Sequence, residues 1–185
     1  NWIIEKKDYK INNAFEHVSL QFAKRQKNPI TKEEFEKLIE VTTPENGLST
    51  DKSGKKRNSY KSWLTTTFKI GLETGLRREE IVLLAWDHVR EISHLGKTCF
   101  IIDVNNLKNN RRMFGQDTGE YVKPIPVTKG LYTLLLSLGY EQKKGSSGFI
   151  IEREGNTDTK YLLDEISRGF AHFIKLVTDR KIEFK

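Results

Sequence analysis

A helix stop followed within two residues by a helix-leading arginine is the feature that most restricts this chain. The segment Thr74-Gly75-Leu76-Arg77-Arg78-Glu79-Glu80-Ile81-Val82-Leu83-Leu84-Ala85-Trp86 follows an apolar-periodic run through Tyr60, Leu64, Thr67, Phe68 and Gly71. Glycine enters the left-handed region without a Cβ penalty, so Gly75 suits the position just past a helix end. The next helix then begins at about Arg77, with Glu79 and Glu80 in its first turn, where the helix dipole favours carboxylates. Arg77, Glu80, Ile81 and Leu84 fall on one face at i, i+3, i+4 and i+7, with Arg77 at its exposed end. A planar, permanently charged group with five donors is thereby mounted on a rigid corner, which suits a phosphate. Two solvated arginines beside surface glutamates would have the same spacing, so the pattern alone leaves both readings open.

Charge bears on that choice. Lys and Arg total 32 against 25 Asp and Glu, a formal charge of +7, and the excess is local. Residues 31–51 carry two lysines against six acidic residues, whereas residues 52–78 carry eight basic residues against one glutamate. A basic block next to the arginine corner suits a polyanion, and Lys55, Lys56, Arg57 and Arg78 are its candidate contacts, with Arg111 and Arg112 further on. A solubilising face is the alternative.

The N-terminal residues 1–28 mix Trp2, Ile3, Ile4, Phe15 and Phe22 with many lysines and lack sustained periodicity, so a linker is expected there. Thr31 and Glu34 then form a capping box flanked by Ile30 and Phe35, predicting a helix from about Lys32 that buries Phe35, Leu38 and Ile39. Residues 43–58 are polar and broken by Pro44, Gly47 and Gly54, which predicts a loop. The helix over 60–74 follows, with Trp63 and Phe68 as core anchors.

Beyond Trp86 the period changes to that of extended chain. Val89 to Ile92, a turn at Gly96, and Thr98 to Val104 predict a hairpin. A second hairpin runs through the basic, asparagine-rich stretch 105–112, which contains Lys108, and returns along Tyr121 to Val127, where Pro124 and Pro126 keep that strand at an edge. Thr128 caps a helix carrying Leu131, Leu134, Leu135 and Leu138 and stopped by Gly139. A last helix over 161–178 buries Leu162, Ile166, Phe170, Phe173, Ile174 and Val177. Helices, a small antiparallel three-stranded sheet, then helices, without βαβ alternation, make a mostly helical α+β domain.

Cys99 lies in a strand-like apolar run and is expected to be a small buried residue in a reducing compartment. The four histidines are scattered, and His172 on the last helix is expected to be structural. No nucleotide-binding glycine loop and no Cys/His spacing typical of a metal site occurs. Neither a metal nor a nucleotide cofactor is expected, and no apolar run approaches the length of a membrane span. Phosphate chemistry in such a chain falls to arginine and lysine.

The run Thr74-Gly75-Leu76-Arg77 followed by Glu80-Ile81, Leu84 and Trp86 resembles the first signature box of the tyrosine recombinases, the integrases of phages and conjugative elements. The resemblance covers about residues 29–185 and implies that residues 1–28 link to a preceding DNA-binding domain. It implies that Arg77 contacts the scissile phosphate, that Glu80 helps hold the site, and that a lysine in the second hairpin protonates the leaving 5′ oxygen. Lys108 matches that lysine, with Lys123, Arg111 and Arg112 as rivals. The family's second box and its nucleophilic tyrosine are expected beyond the last helix. Lys185 resembles the first position of that box, and none of the six tyrosines, Tyr161 included, sits in a matching context. The resemblance further implies double-stranded DNA and a recombinase multimer as partners, no cofactor, a cytoplasmic location, and recombination through a 3′-phosphotyrosyl intermediate in the intact protein. On that reading the chain is an incomplete catalytic domain, inactive by itself. A non-catalytic DNA-binding module of a mobile element is the alternative.

Overall fold

The computed structural model describes residues 29–50, 53–94, 96–105, 122–152, 158–180, 182 and 184. The expected linker over 1–28 therefore lies outside the described residues. Six α-helices are described: α1 (Lys32–Val41), α2 (Leu64–Thr74), α3 (Arg78–Val82), α4 (Lys129–Ser137), α5 (Tyr140–Lys143) and α6 (Thr159–Ile174). Five strands accompany them: β1 (Leu48–Thr50), β2 (Lys56–Asn58), β3 (Val89–His94), β4 (Lys97–Asn105) and β5 (Val122–Pro126). They form a two-stranded sheet, β1-β2, and a three-stranded antiparallel sheet in the order β3-β4-β5. The architecture is α+β, as the order of elements implied.

Local chemistry accounts for most boundaries. Thr31 opens α1 with both halves of the box: its Oγ1 accepts from the Glu34 N–H at 3.2 Å, and Glu34 Oε2 accepts from the Thr31 N–H at 2.9 Å. Gly75, at φ 63° and ψ 19°, closes α2 by donating to Gly71 O at 2.9 Å. Thr128 Oγ1 accepts from the Leu131 N–H at 3.1 Å to open α4. The edge position of the proline-bearing strand is also observed, because among the described residues β5 pairs only with β4.

One apolar cluster joins the helices to the inner face of the larger sheet. Leu38 of α1, Leu64 and Phe68 of α2, Ile81 of α3, Leu131 and Leu135 of α4, and Ile166 and Phe173 of α6 are fully buried in it, together with Ile102 of β4. Each such side chain contributes roughly 1.5–3 kcal/mol on leaving water. Phe68 packs edge-on to Phe170, with ring centres 5.6 Å apart, and Phe184 tilts against both rings. Trp63 and Trp86 are buried, and Phe35, Ile39 and Val177 pack against the cluster from its margin.

Several expectations fail in detail. Residues 43–58 contain the β1–β2 ribbon, with Leu48 opposite Asn58 and Thr50 opposite Lys56. α2 begins four residues later than the periodicity predicts, because the Tyr60 N–H is taken by Asn58 Oδ1 at 2.8 Å and residues 61–64 form a turn. α6 begins earlier and ends earlier than predicted: Asp158 Oδ2 accepts from the Tyr161 N–H at 3.1 Å, so the helix starts at Thr159. Cys99 is exposed rather than buried. Strand alternation explains this, since Ile102 and Val104 point into the core and Cys99, of opposite parity, faces away. The short helix α5 and a 3-10 turn at Trp86–His88 carry no periodic signal.

Candidate nucleic-acid interface

Three residues carry the chain from α2 into α3. Thr74 Oγ1 donates to Ile70 O at 2.6 Å and accepts from the Leu76 N–H at 3.2 Å, while the Leu76 side chain is buried. Gly75 and Leu76 thus fix the direction in which Arg77 leaves the core. Arg77 is the N-cap of α3, with extended backbone at φ −72° and ψ 153°. Its N–H donates to Glu80 Oε2 at 2.9 Å, and its Nη1 donates to Glu80 Oε1 at 3.1 Å. Arginine has no acceptor with which to complete a capping box, so only the reciprocal half exists here.

Exposure is divided unequally between the two partners. The Glu80 side chain is 3% exposed and that of Arg77 53%. Glu80 is therefore a buried carboxylate committed through both oxygens to residue 77, and it orients a guanidinium whose remaining edge faces solvent. Glu80 offsets part of the guanidinium charge, and the donors of Arg77 that it does not engage suit an anion.

Arg78 points elsewhere. Its Nη1 donates to Ser167 Oγ on α6, and that hydroxyl donates to Leu163 O at 2.6 Å. The consecutive arginines are held in different ways, Arg77 within its own helix and Arg78 across to α6. Spacing gives no hint of the second tie, which joins residues 89 apart in sequence.

A cleft of about 200 Å³ lies beside this corner, lined by Glu80, Leu83, Leu84, His88, Val104 and Asn105. His88 Nδ1 accepts from the Ala85 N–H at 3.3 Å, which places the proton of the neutral ring on Nε2, 3.9 Å from Asp87 Oδ1. Asn105 ends β4, so the cleft brings the start of the 105–112 stretch to the Glu80 side of the corner. Lys108, Arg111 and Arg112 themselves lie outside the described residues, as does Lys185. Lys123, the rival lysine, stands in register with Val104 and shares its sheet face.

Lys55, Lys56 and Arg57 are exposed on and beside β2. Helix α2, 11 residues long and so about 16 Å along its axis, runs from the ribbon side to the Arg77 corner. Lys61 meets the buried carboxylate of Glu165 on α6 at 3.5 Å, and Arg168 pairs with the same group. His172, on α6, lies with Nε2 2.7 Å from Asn46 O.

Among the described residues, no group of three or more His, Cys, Asp or Glu side chains is arranged to hold a metal ion. No helix among them is long and apolar enough to cross a membrane. No protein-family model matches the chain, and comparison with curated proteins and with solved structures gave no match.

Proposed function

We propose that this chain binds duplex DNA and belongs to a strand-transfer enzyme of the tyrosine-recombinase type, with Arg77 on the scissile phosphate. One observation supports this above the others: Arg77 is half exposed, yet both its backbone and its guanidinium are held by the buried carboxylate of Glu80.

In the proposed reaction a tyrosine hydroxyl attacks the phosphorus, forming a 3′-phosphotyrosyl bond and releasing a 5′ oxygen that takes a proton from a lysine. The 5′-hydroxyl of a partner duplex then attacks the same phosphorus and releases the tyrosine. The phosphodiester energy is conserved in the covalent intermediate, so ATP is not consumed. Arg77 offsets the extra negative charge of the pentavalent transition state, a role worth ~10³–10⁵ in rate where one arginine performs it in phosphoryl transfer. Lys108 is the proposed general acid, and Lys123 is the alternative whose register partner, Val104, lines the cleft.

A second reading, a non-catalytic DNA-binding module of a mobile element, draws on the tyrosines. Tyr60, Tyr132, Tyr140 and Tyr161 all pack against the core, and Tyr140 is buried deeply enough to push its hydroxyl pKa up. Covalent trapping separates the two readings. On the first, the full-length protein forms a denaturant-resistant adduct with nicked duplex DNA, and Arg77→Ala abolishes it while most binding persists. An undiminished adduct in that variant overturns the role of Arg77, and absence of any adduct from the unaltered protein favours the module.

A further inference from the structure

The β1–β2 ribbon is anchored at its base and exposed along its blade. Among the described residues it is the one element that contributes no buried side chain to the core. At the base the Ser59 N–H donates to Gly47 O at 2.9 Å, and the chain passes so close that a Cβ on Gly47 would stand 2.4 Å from the Tyr60 Cβ. His172 meets Asn46 O from α6, and Lys61 pairs with Glu165 just past the second strand. Along the blade, Leu48, Thr50, Lys56, Arg57 and Asn58 are all exposed, and Ser49 is half-buried. A two-stranded hairpin with no buried face is marginal in water, so a firm base under an exposed blade points to a partner that covers the blade.

Charge and width indicate which partner. Lys55, Lys56 and Arg57 form an uninterrupted basic run. The register places Thr50 and Lys56 on one face and Ser49 and Arg57 on the other, so each face carries a cation. Two paired strands are about 4.8 Å apart between axes. With side chains they fit the B-DNA major groove, about 12 Å wide, and not the minor groove, about 6 Å wide. The major groove of A-form RNA is too deep and narrow to admit them.

We propose that the β1–β2 ribbon enters the major groove of B-form DNA, with Lys55, Lys56 and Arg57 toward the phosphates that flank it. The proposal rests on the DNA reading of the Arg77 corner and adds a second contact at the opposite end of α2.

Dimethyl sulfate probes the major groove at guanine N7, and the test uses the whole chain saturating a short duplex. N7 atoms become protected, and the combined substitution Lys55→Gln, Lys56→Gln, Arg57→Gln restores their reactivity. The same substitution makes the slope of log K against log[salt] for duplex DNA shallower by about 0.9 for each phosphate that is no longer neutralised, and weakens binding to duplex DNA more than binding to duplex RNA. Unprotected N7 in the unaltered complex overturns the ribbon alone, as does an equal loss of affinity for RNA and DNA. If the unaltered chain binds no DNA, the ribbon proposal and the reading of Arg77 fall together.

Discussion

Arg77 and Glu80 hold each other twice, through the backbone N–H at 2.9 Å and through Nη1 at 3.1 Å, across a turn that buries the acid and leaves the base half in water. The acid thereby caps a five-residue helix that has little propensity to stand alone. Glu80→Ala removes the cap and a charge-assisted bond at once, and is expected to lower stability by about 2 kcal/mol. Glu80→Gln keeps an acceptor for the N–H and is expected to cost about half as much. The midpoint of urea unfolding measures both, and an unchanged midpoint in Glu80→Ala contradicts the capping role.

Gly71 makes a slot for Phe184. A Cβ there would lie 2.6 Å from the end of the Phe184 ring, which sits between Phe68 and Phe170, and 3.3 Å from Ile81 Cδ1. Gly71→Ala is therefore expected to destabilise, although alanine is intrinsically the better helix former by ~1 kcal/mol. In a Phe184→Ala background the clash is gone and the same change is expected to stabilise. A double-mutant cycle by thermal unfolding reads the sign, and destabilisation in both backgrounds contradicts the slot.

Acid sensitivity is expected from Glu34. The Arg180 guanidinium, with help from the Thr31 N–H, holds its carboxyl at about 2, below an ordinary value of 4.5. Because the folded value is the lower one, the stabilisation is complete above about pH 4.5 and is lost as the pH falls toward 2. Glu34→Gln is accordingly expected to flatten the fall of melting temperature across that window. A fall as steep as in the unaltered chain contradicts the pairing.

Cys99 faces solvent on the outer side of β4. The native chain is expected to react with a thiol-specific disulfide reagent to one equivalent before any unfolding. Reaction only in denaturant contradicts the strand parity assigned to it.

The structure bears out those features that the sequence encodes within a few residues. Thr31 with Glu34, Gly75 after its helix, Gly96 in its turn and Thr128 before its helix each act through hydrogen bonds or dihedral angles set by near neighbours. The burial expected of Cys99 fails because apolar neighbours suggest a core position whereas only alternation decides the face. The ribbon escapes a pattern reading because its strands are three residues each and largely polar, too short for any period to show. The tie from Arg78 to Ser167 and the cleft that joins Glu80 to His88 and Asn105 depend on tertiary packing, which no local pattern carries.

Whether Arg77 meets a DNA phosphate is tested most directly by the salt dependence of duplex binding. Affinity of the unaltered chain is expected to fall linearly on a log–log plot against salt. Arg77→Ala should bind more weakly with a slope shallower by about 0.9, the signature of one fewer phosphate neutralised. A slope identical in the two proteins, or binding that does not respond to salt, would contradict the claim.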